Sequence, residues 1–194
     1  MCIIGAAECG SMLGQRGYIR RMAALRITGW DVVHLDRLTF MWVQSIRFEL
    51  DASKSDRELL ELLISSPGYG HDYASPFDGE EMVDPPVIHG RWYLGAIHQG
   101  RFSETSAELA RSVIRTWVDD QDWRDPEYRQ PPEVHERLEP VYEILRSGRV
   151  YRLRNPSDDF LHEYGCVTGN LGFHEFVTID RRSGALYLLV ASDD

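Results

Sequence analysis

The chain has 194 residues, of which 43% are apolar and 11% aromatic, and it carries a formal net charge of −10. That length suits one domain, and that apolar content excludes the disordered class, which combines low hydrophobicity with high charge. The negative balance excludes nonspecific nucleic-acid binding, which depends on cationic contacts that release counterions.

Residues 1–40 read as an N-terminal arm or extension, in which Arg16, Arg20, Arg21, Arg26 and Arg37 outnumber Glu8, Asp31 and Asp36. Clear periodicity begins at Met41, so residues 41–194 are taken as a single domain. MWVQSIRFELD alternates Ile46, Phe48 and Leu50 with Ser45, Arg47 and Glu49, the pattern of a half-buried strand. SDRELLELLISSPG has the capping-box pair Ser55 and Glu58 ahead of a leucine stripe, and Pro67-Gly68 stops it, which predicts a helix. YGHDYASPFDGEEMVDPP, residues 69–86, is a glycine-, proline- and acid-rich loop. VIHGRWYLGAIH returns to strand composition, and Thr105 with Glu108 forms a second capping box for a helix running to about Val118. The acidic connector DDQDWRDPEYRQ follows. PPEVHERLEPVYEILRSG then predicts a helix with proline in its first turn, a stop at Gly148, and a kink or break at Pro140. RVYRLR is a short strand. FHEFVTIDRRSGALYLLVASDD predicts a hairpin whose turn uses Gly184 in a left-handed position. The order of elements predicts an α+β fold: a mostly antiparallel sheet, helices packed on one face, and a C-terminal β-hairpin.

Cys2, Cys9 and Cys166 are an odd number without framework spacing, which points to a reducing cytoplasm. No stretch approaches the roughly 18–20 apolar residues of a membrane helix. Lys54 is the only lysine among 21 basic residues, and Asn155 and Asn170 are the only asparagines. This bias is that of a GC-rich coding sequence, so the arginine count is not a sign of phosphate recognition; the protein is read as a bacterial one.

FLHEYGCVTGNLGFHEF, residues 160–176, holds the pairs His162-Glu163 and His174-Glu175 on either side of Cys166. A metal-dependent hydrolase built here would use His162, Cys166 and His174 as ligands, with Glu163 or Glu175 as general base for a bound water. Gly165, Gly169 and Gly172 interrupt helical register, so a loop would have to gather the ligands. If residues 173–179 form a strand, Phe173, Glu175, Val177 and Ile179 share one face and His174, Phe176 and Thr178 the other, so His174 and Glu175 point apart.

The reading preferred over this one is a binder without chemistry and without a cofactor. Trp117, Asp119, Asp120, Asp122, Trp123, Asp125 and Tyr128 interleave acids with aromatic residues. That combination suits rapid, anchored association with a basic protein partner. FVTIDRRSGALYLLVASDD resembles the sheet segment of SMI1/KNR4-type (SUKH) immunity proteins, in which a strand, an acidic turn ending in glycine and a second strand recur. The resemblance implies a noncatalytic cytoplasmic protein that neutralises a toxin. MCIIGAAECGSMLGQRGY is similar to the start of class II glutamine amidotransferases, which would make Cys2 a nucleophile, although Ile3 stands where that family has glycine.

Overall fold

The computed structural model describes residues 24–35, 41–66, 68–69, 87–119, 127, 129–162 and 172–193. Its elements are β1 (Ile27–His34), β2 (Met41–Glu49), α1 (Asp56–Ile64), β3 (Ile88–His89), β4 (Trp92–Tyr93), β5 (Phe102–Thr105), α2 (Ala107–Asp119), α3 (Pro132–Arg137), α4 (Glu139–Ser147), β6 (Arg149–Leu153), β7 (His174–Asp180) and β8 (Ala185–Asp193). Six strands make one antiparallel sheet in the order β1-β2-β8-β7-β6-β5, and β3 with β4 forms a small separate hairpin. No helix among the described residues is long and apolar enough to cross a membrane.

The fold is α+β, with helices alongside the sheet and β7-β8 as a hairpin near the C-terminus. Strand alternation divides the core in two. Leu186, Leu188 and Val190 of β8 join Ile46, Phe48, Val177 and the α1 leucines Leu59, Leu60 and Leu63. Leu189 and Ala191 face the opposite way, toward Ile114 and Trp117 of α2, Val134 of α3, and Val141, Tyr142 and Leu145 of α4. Helices α2–α4 thus crowd one face. The other is covered by α1 and the β3-β4 hairpin, which explains why β8 is apolar on both sides. Asp56, at the start of α1, binds this layer to the sheet by accepting from Tyr151 Oη at 2.8 Å, Arg149 at 2.9 Å and Arg181 at 2.5 Å.

Local sequence signals account for several boundaries. Ser55 and Glu58 form the reciprocal capping box of α1. Pro140 breaks the long helical segment into α3 and α4, because a proline ring within a helix interior would remove a donor and collide with the preceding turn. Gly184 has φ +65° in the β7-β8 turn, where the Asp180 carboxylate accepts from the backbone N–H groups of Arg182 and Ser183. The cap of α2 lies one residue beyond the expected Thr105: Ser106 Oγ accepts from the Leu109 N–H, because Thr105 is still paired with Val150 in the sheet. β5 was not anticipated from the sequence.

β1 lies within the stretch read as an arm, yet it pairs along β2 from Ile27↔Phe48 to His34↔Trp42. A register shift between Ile27 and Gly29 adds a residue to β1. Since Phe48 and Ile46 share the α1-side core, this bulge turns their partners Ile27 and Trp30 to the same face, three residues apart.

The division into two cores predicts independent energetics. Ile46→Val on the α1 side and Ile114→Val on the α2 side should each cost about 0.5–1.5 kcal/mol. In urea titrations their double variant should equal the sum within about 0.5 kcal/mol, whereas a larger coupling would mean one continuous core.

Candidate functional site

The described polar groups converge most closely under the β3-β4 hairpin. Glu175 of β7 lies on the same face as Val177 and Ile179, so its carboxylate enters the α1-side core, where the residue is only 1% exposed. Such a group must find partners on site, because burying an unpaired charge costs several kcal/mol. It finds two. Tyr69 Oη donates to Glu175 Oε1 at 2.8 Å, and His89 Nε2 lies 2.6 Å from Glu175 Oε2. The other imidazole nitrogen, Nδ1, is 2.5 Å from the Tyr69 carbonyl oxygen, and the Tyr69 and His89 rings stack 3.9 Å apart.

A carbonyl oxygen only accepts, so Nδ1 of His89 carries a proton, and one further proton lies between Nε2 and Glu175 Oε2. Both carboxylate oxygens, both imidazole nitrogens and the phenol are engaged with one another, and Tyr69 and His89 are 0% exposed. A histidine beside a carboxylate is the raw material of acid–base chemistry. Here its atoms are enclosed and committed, and the arrangement acts as a polar knot within an apolar core.

The knot is also where chain segments are anchored. Residues 70–86 connect Tyr69 to Val87, two positions before His89, so the Tyr69–His89 clasp closes that segment at its base. Residues 163–171 connect His162 to Gly172. His162 Nε2 donates to the Gly90 carbonyl at 2.6 Å, and the Phe173 ring meets His89 and Trp92 edge-on at 5.9 Å and 5.3 Å. Gly90 turns the β3-β4 hairpin at φ +54°, and a Cβ there would run into the Phe173 ring. Beside this base, a Cβ on Gly68 would strike the Ile27 side chain, which places Ile27 of β1 against the root of the acidic segment. Trp30 follows on the same face and is 71% exposed.

The residues singled out in the sequence separate. Trp117 is 4% exposed and packs in the α2-side core, edge-on to His174 with ring centroids 6.1 Å apart. Asp119 holds down the chain, accepting at Oδ1 from the Gln130 N–H at 3.1 Å and from His135 Nε2 at 3.0 Å. Asp120, Asp122, Trp123, Asp125, Tyr128, Cys166 and Cys2 lie outside the described residues. His162 belongs to the β3-β4 layer and His174 faces α2 across the sheet, so these two proposed ligands are not brought together. Glu175 points away from His174, as the strand alternation predicts. Among the described residues, no three His, Cys, Asp or Glu side chains are placed to hold a metal ion. The sequence reading missed Tyr69 and the role of His89, but one signal was present: a glutamate on the apolar face of a strand requires a buried partner.

Replacing Glu175 tests the proton accounting of the knot. Glu175→Gln keeps an acceptor for Tyr69 and offers an N–H to a His89 ring protonated only at Nδ1, so it should cost about 1–2 kcal/mol. Glu175→Ala leaves both partners stranded and should cost about 3–5 kcal/mol in the same urea titration. His174 makes a separate prediction. Burial first, and Arg152 second, hold its pKa down at about 4, against an ordinary 6.5. As pH falls below about 6.5 the unfolded chain takes up this proton before the folded one does, so the stabilisation is present at neutral pH and drains away toward pH 4. Between pH 7 and pH 5 the wild-type chain should lose about 2 kcal/mol more than His174→Gln, measured by denaturation at each pH.

Compared with known proteins, the chain matches no family model, no curated protein and no solved structure.

Proposed function

We propose that this chain is a noncatalytic binding protein for a basic protein partner, of the immunity type that neutralises a toxin, and that its binding face centres on Trp30. The observation that carries the reading is the exposure of Trp30: at 71% it leaves most of a large, rigid aromatic surface in solvent, on the face where the acidic segment is rooted. Tryptophan is the residue most enriched among interface anchors. Beside it Ile27 is 45% exposed. Residues 70–86 carry Asp72, Asp78, Glu80, Glu81 and Asp84 and no lysine or arginine, and they follow directly in the chain on Tyr69, whose neighbour Gly68 lies against Ile27. Opposite charge speeds encounter, and desolvated aromatic surface slows escape. The resemblance of FVTIDRRSGALYLLVASDD to the SUKH hairpin supports the same class. Asp119 and Trp117 contribute to this function only through the fold.

The test starts from the genomic neighbourhood: a basic toxin domain found encoded there is expressed in a host together with this chain, and the absence of any such gene counts against the reading. Wild-type chain should restore growth and bind the toxin. Trp30→Ala should weaken the complex about 30-fold or more, mainly through faster dissociation, with its melting temperature unchanged. Asp78→Asn/Glu80→Gln/Glu81→Gln/Asp84→Asn should instead slow association and flatten its salt dependence. A wild-type chain that neither binds nor protects, or a Trp30→Ala chain that binds equally well, would end this reading.

A further inference from the structure

Across the sheet from Trp30, a cleft of about 290 Å³ opens between the helices, lined by Arg111 and Arg115 of α2, His135 and Glu136 of α3, and Glu139 and Tyr142 of α4. Arg111 and Arg115 are one helical turn apart, which brings both to this cleft. Neither takes part in an ion pair among the described residues, so both guanidiniums keep donors to offer to the cleft. Of the two glutamates lining the cleft, Glu139 is already held by Arg146. The Arg111 guanidinium lies instead over the Tyr142 ring, 4.9 Å from its centroid.

The floor of the cleft carries the stronger signal. Tyr142 is 2% exposed, and its hydroxyl is buried with no hydrogen-bond partner. Leaving a buried hydroxyl unpaired costs about 1–3 kcal/mol, so such a group calls for an explanation. Burial pushes the Tyr142 phenol pKa upward despite the nearby Arg111 and Arg115, so the hydroxyl keeps its proton and is a donor at neutral pH. His135 Nδ1 is likewise buried and unpaired, while its Nε2 is turned to Asp119. Two guanidiniums and an unpartnered phenol therefore offer N–H and O–H donors to the cleft, and the imidazole edge adds a further polar contact.

We infer that this cleft is a binding site for a small ligand with an oxyanion group, a carboxylate or a phosphate, held by Arg111 and Arg115 and accepting a hydrogen bond from Tyr142 Oη. Charge-assisted bonds from arginine are the strong ones, and the fork geometry of guanidinium matches both groups. Glu136 and Glu139 on the facing wall oppose ligands with extended negative charge, which restricts the site to a single oxyanion on an otherwise neutral or cationic small molecule. The site stands apart from the Trp30 face and does not depend on the protein-binding reading.

The probes are inorganic phosphate and acetate, titrated separately at constant ionic strength into full-length protein labelled with ¹³C-tyrosine, with the Tyr142 signal assigned by its loss in Tyr142→Phe. At least one anion should shift that signal saturably in the wild type, with a Kd below about 10 mM, and the anion that does so identifies the group recognised. By calorimetry, Tyr142→Phe, which preserves the ring and its packing, should weaken that binding about three- to tenfold. Arg111→Gln/Arg115→Gln should weaken it more than tenfold, with both variants retaining the wild-type melting temperature within a few degrees. Neither anion saturating the wild-type signal, or binding unchanged in Tyr142→Phe and in the double arginine variant, overturns the assignment.

Discussion

A carboxylate in an apolar core is the constraint around which one side of this molecule is built. Glu175 reaches that core because strand alternation gives it no other direction. Once there, it must be matched in hydrogen bonds and in proton count. Tyr69 and His89 supply the match from positions remote in the chain, and their mutual stacking leaves little freedom in how they do so. A polar network of this kind is costly when incomplete and specific when complete. It therefore selects one arrangement of the β3-β4 hairpin over the sheet, where apolar contacts alone would tolerate several.

The two faces of the sheet divide their tasks. On the α1 side the knot joins Tyr69 to His89, with Gly68 lying against Ile27, and a single bulge in β1 turns Ile27 and Trp30 to that face. On the α2 side three helices enclose an apolar core and leave between them a polar cleft with Arg111, Arg115 and the Tyr142 hydroxyl among its lining. Exposed aromatic surface is the kind that protein interfaces use, and a small polar hollow is the kind that small ligands use. The six-stranded sheet keeps these two surfaces apart.

Sequence periodicity made the central architecture legible: β2, α1, the division at Pro140, β6 and the β7-β8 hairpin all have local signals that the packing obeys. β1 was hidden because its bulge between Ile27 and Gly29 disrupts the alternation by which strands are recognised. β5 was hidden because four residues, FSET, are too few to show a period. For the sites, the limit was distance along the chain. Tyr69 and Glu175 are 106 positions apart, and no local pattern links them. Trp117 and Trp30 are instructive together, since composition treats them alike. The spacing of Ala110, Ile114 and Trp117 marks an inward helical stripe and could have assigned Trp117 to the core, whereas Trp30 has no such stripe around it.

The position of β8 has a bearing on how the molecule comes into being. It occupies the middle of the sheet, flanked by β2 and β7, and its residue Ala185 is partnered with Glu49. During synthesis from the N-terminus, the β1-β2 ribbon is therefore made long before the strand that completes it, with Ile46 and Phe48 lacking their eventual neighbours throughout. Long-range closure of this kind slows folding and prolongs the vulnerability of unpaired strand edges. The ribosome must deliver everything from β2 through β8 before the centre of this sheet can exist.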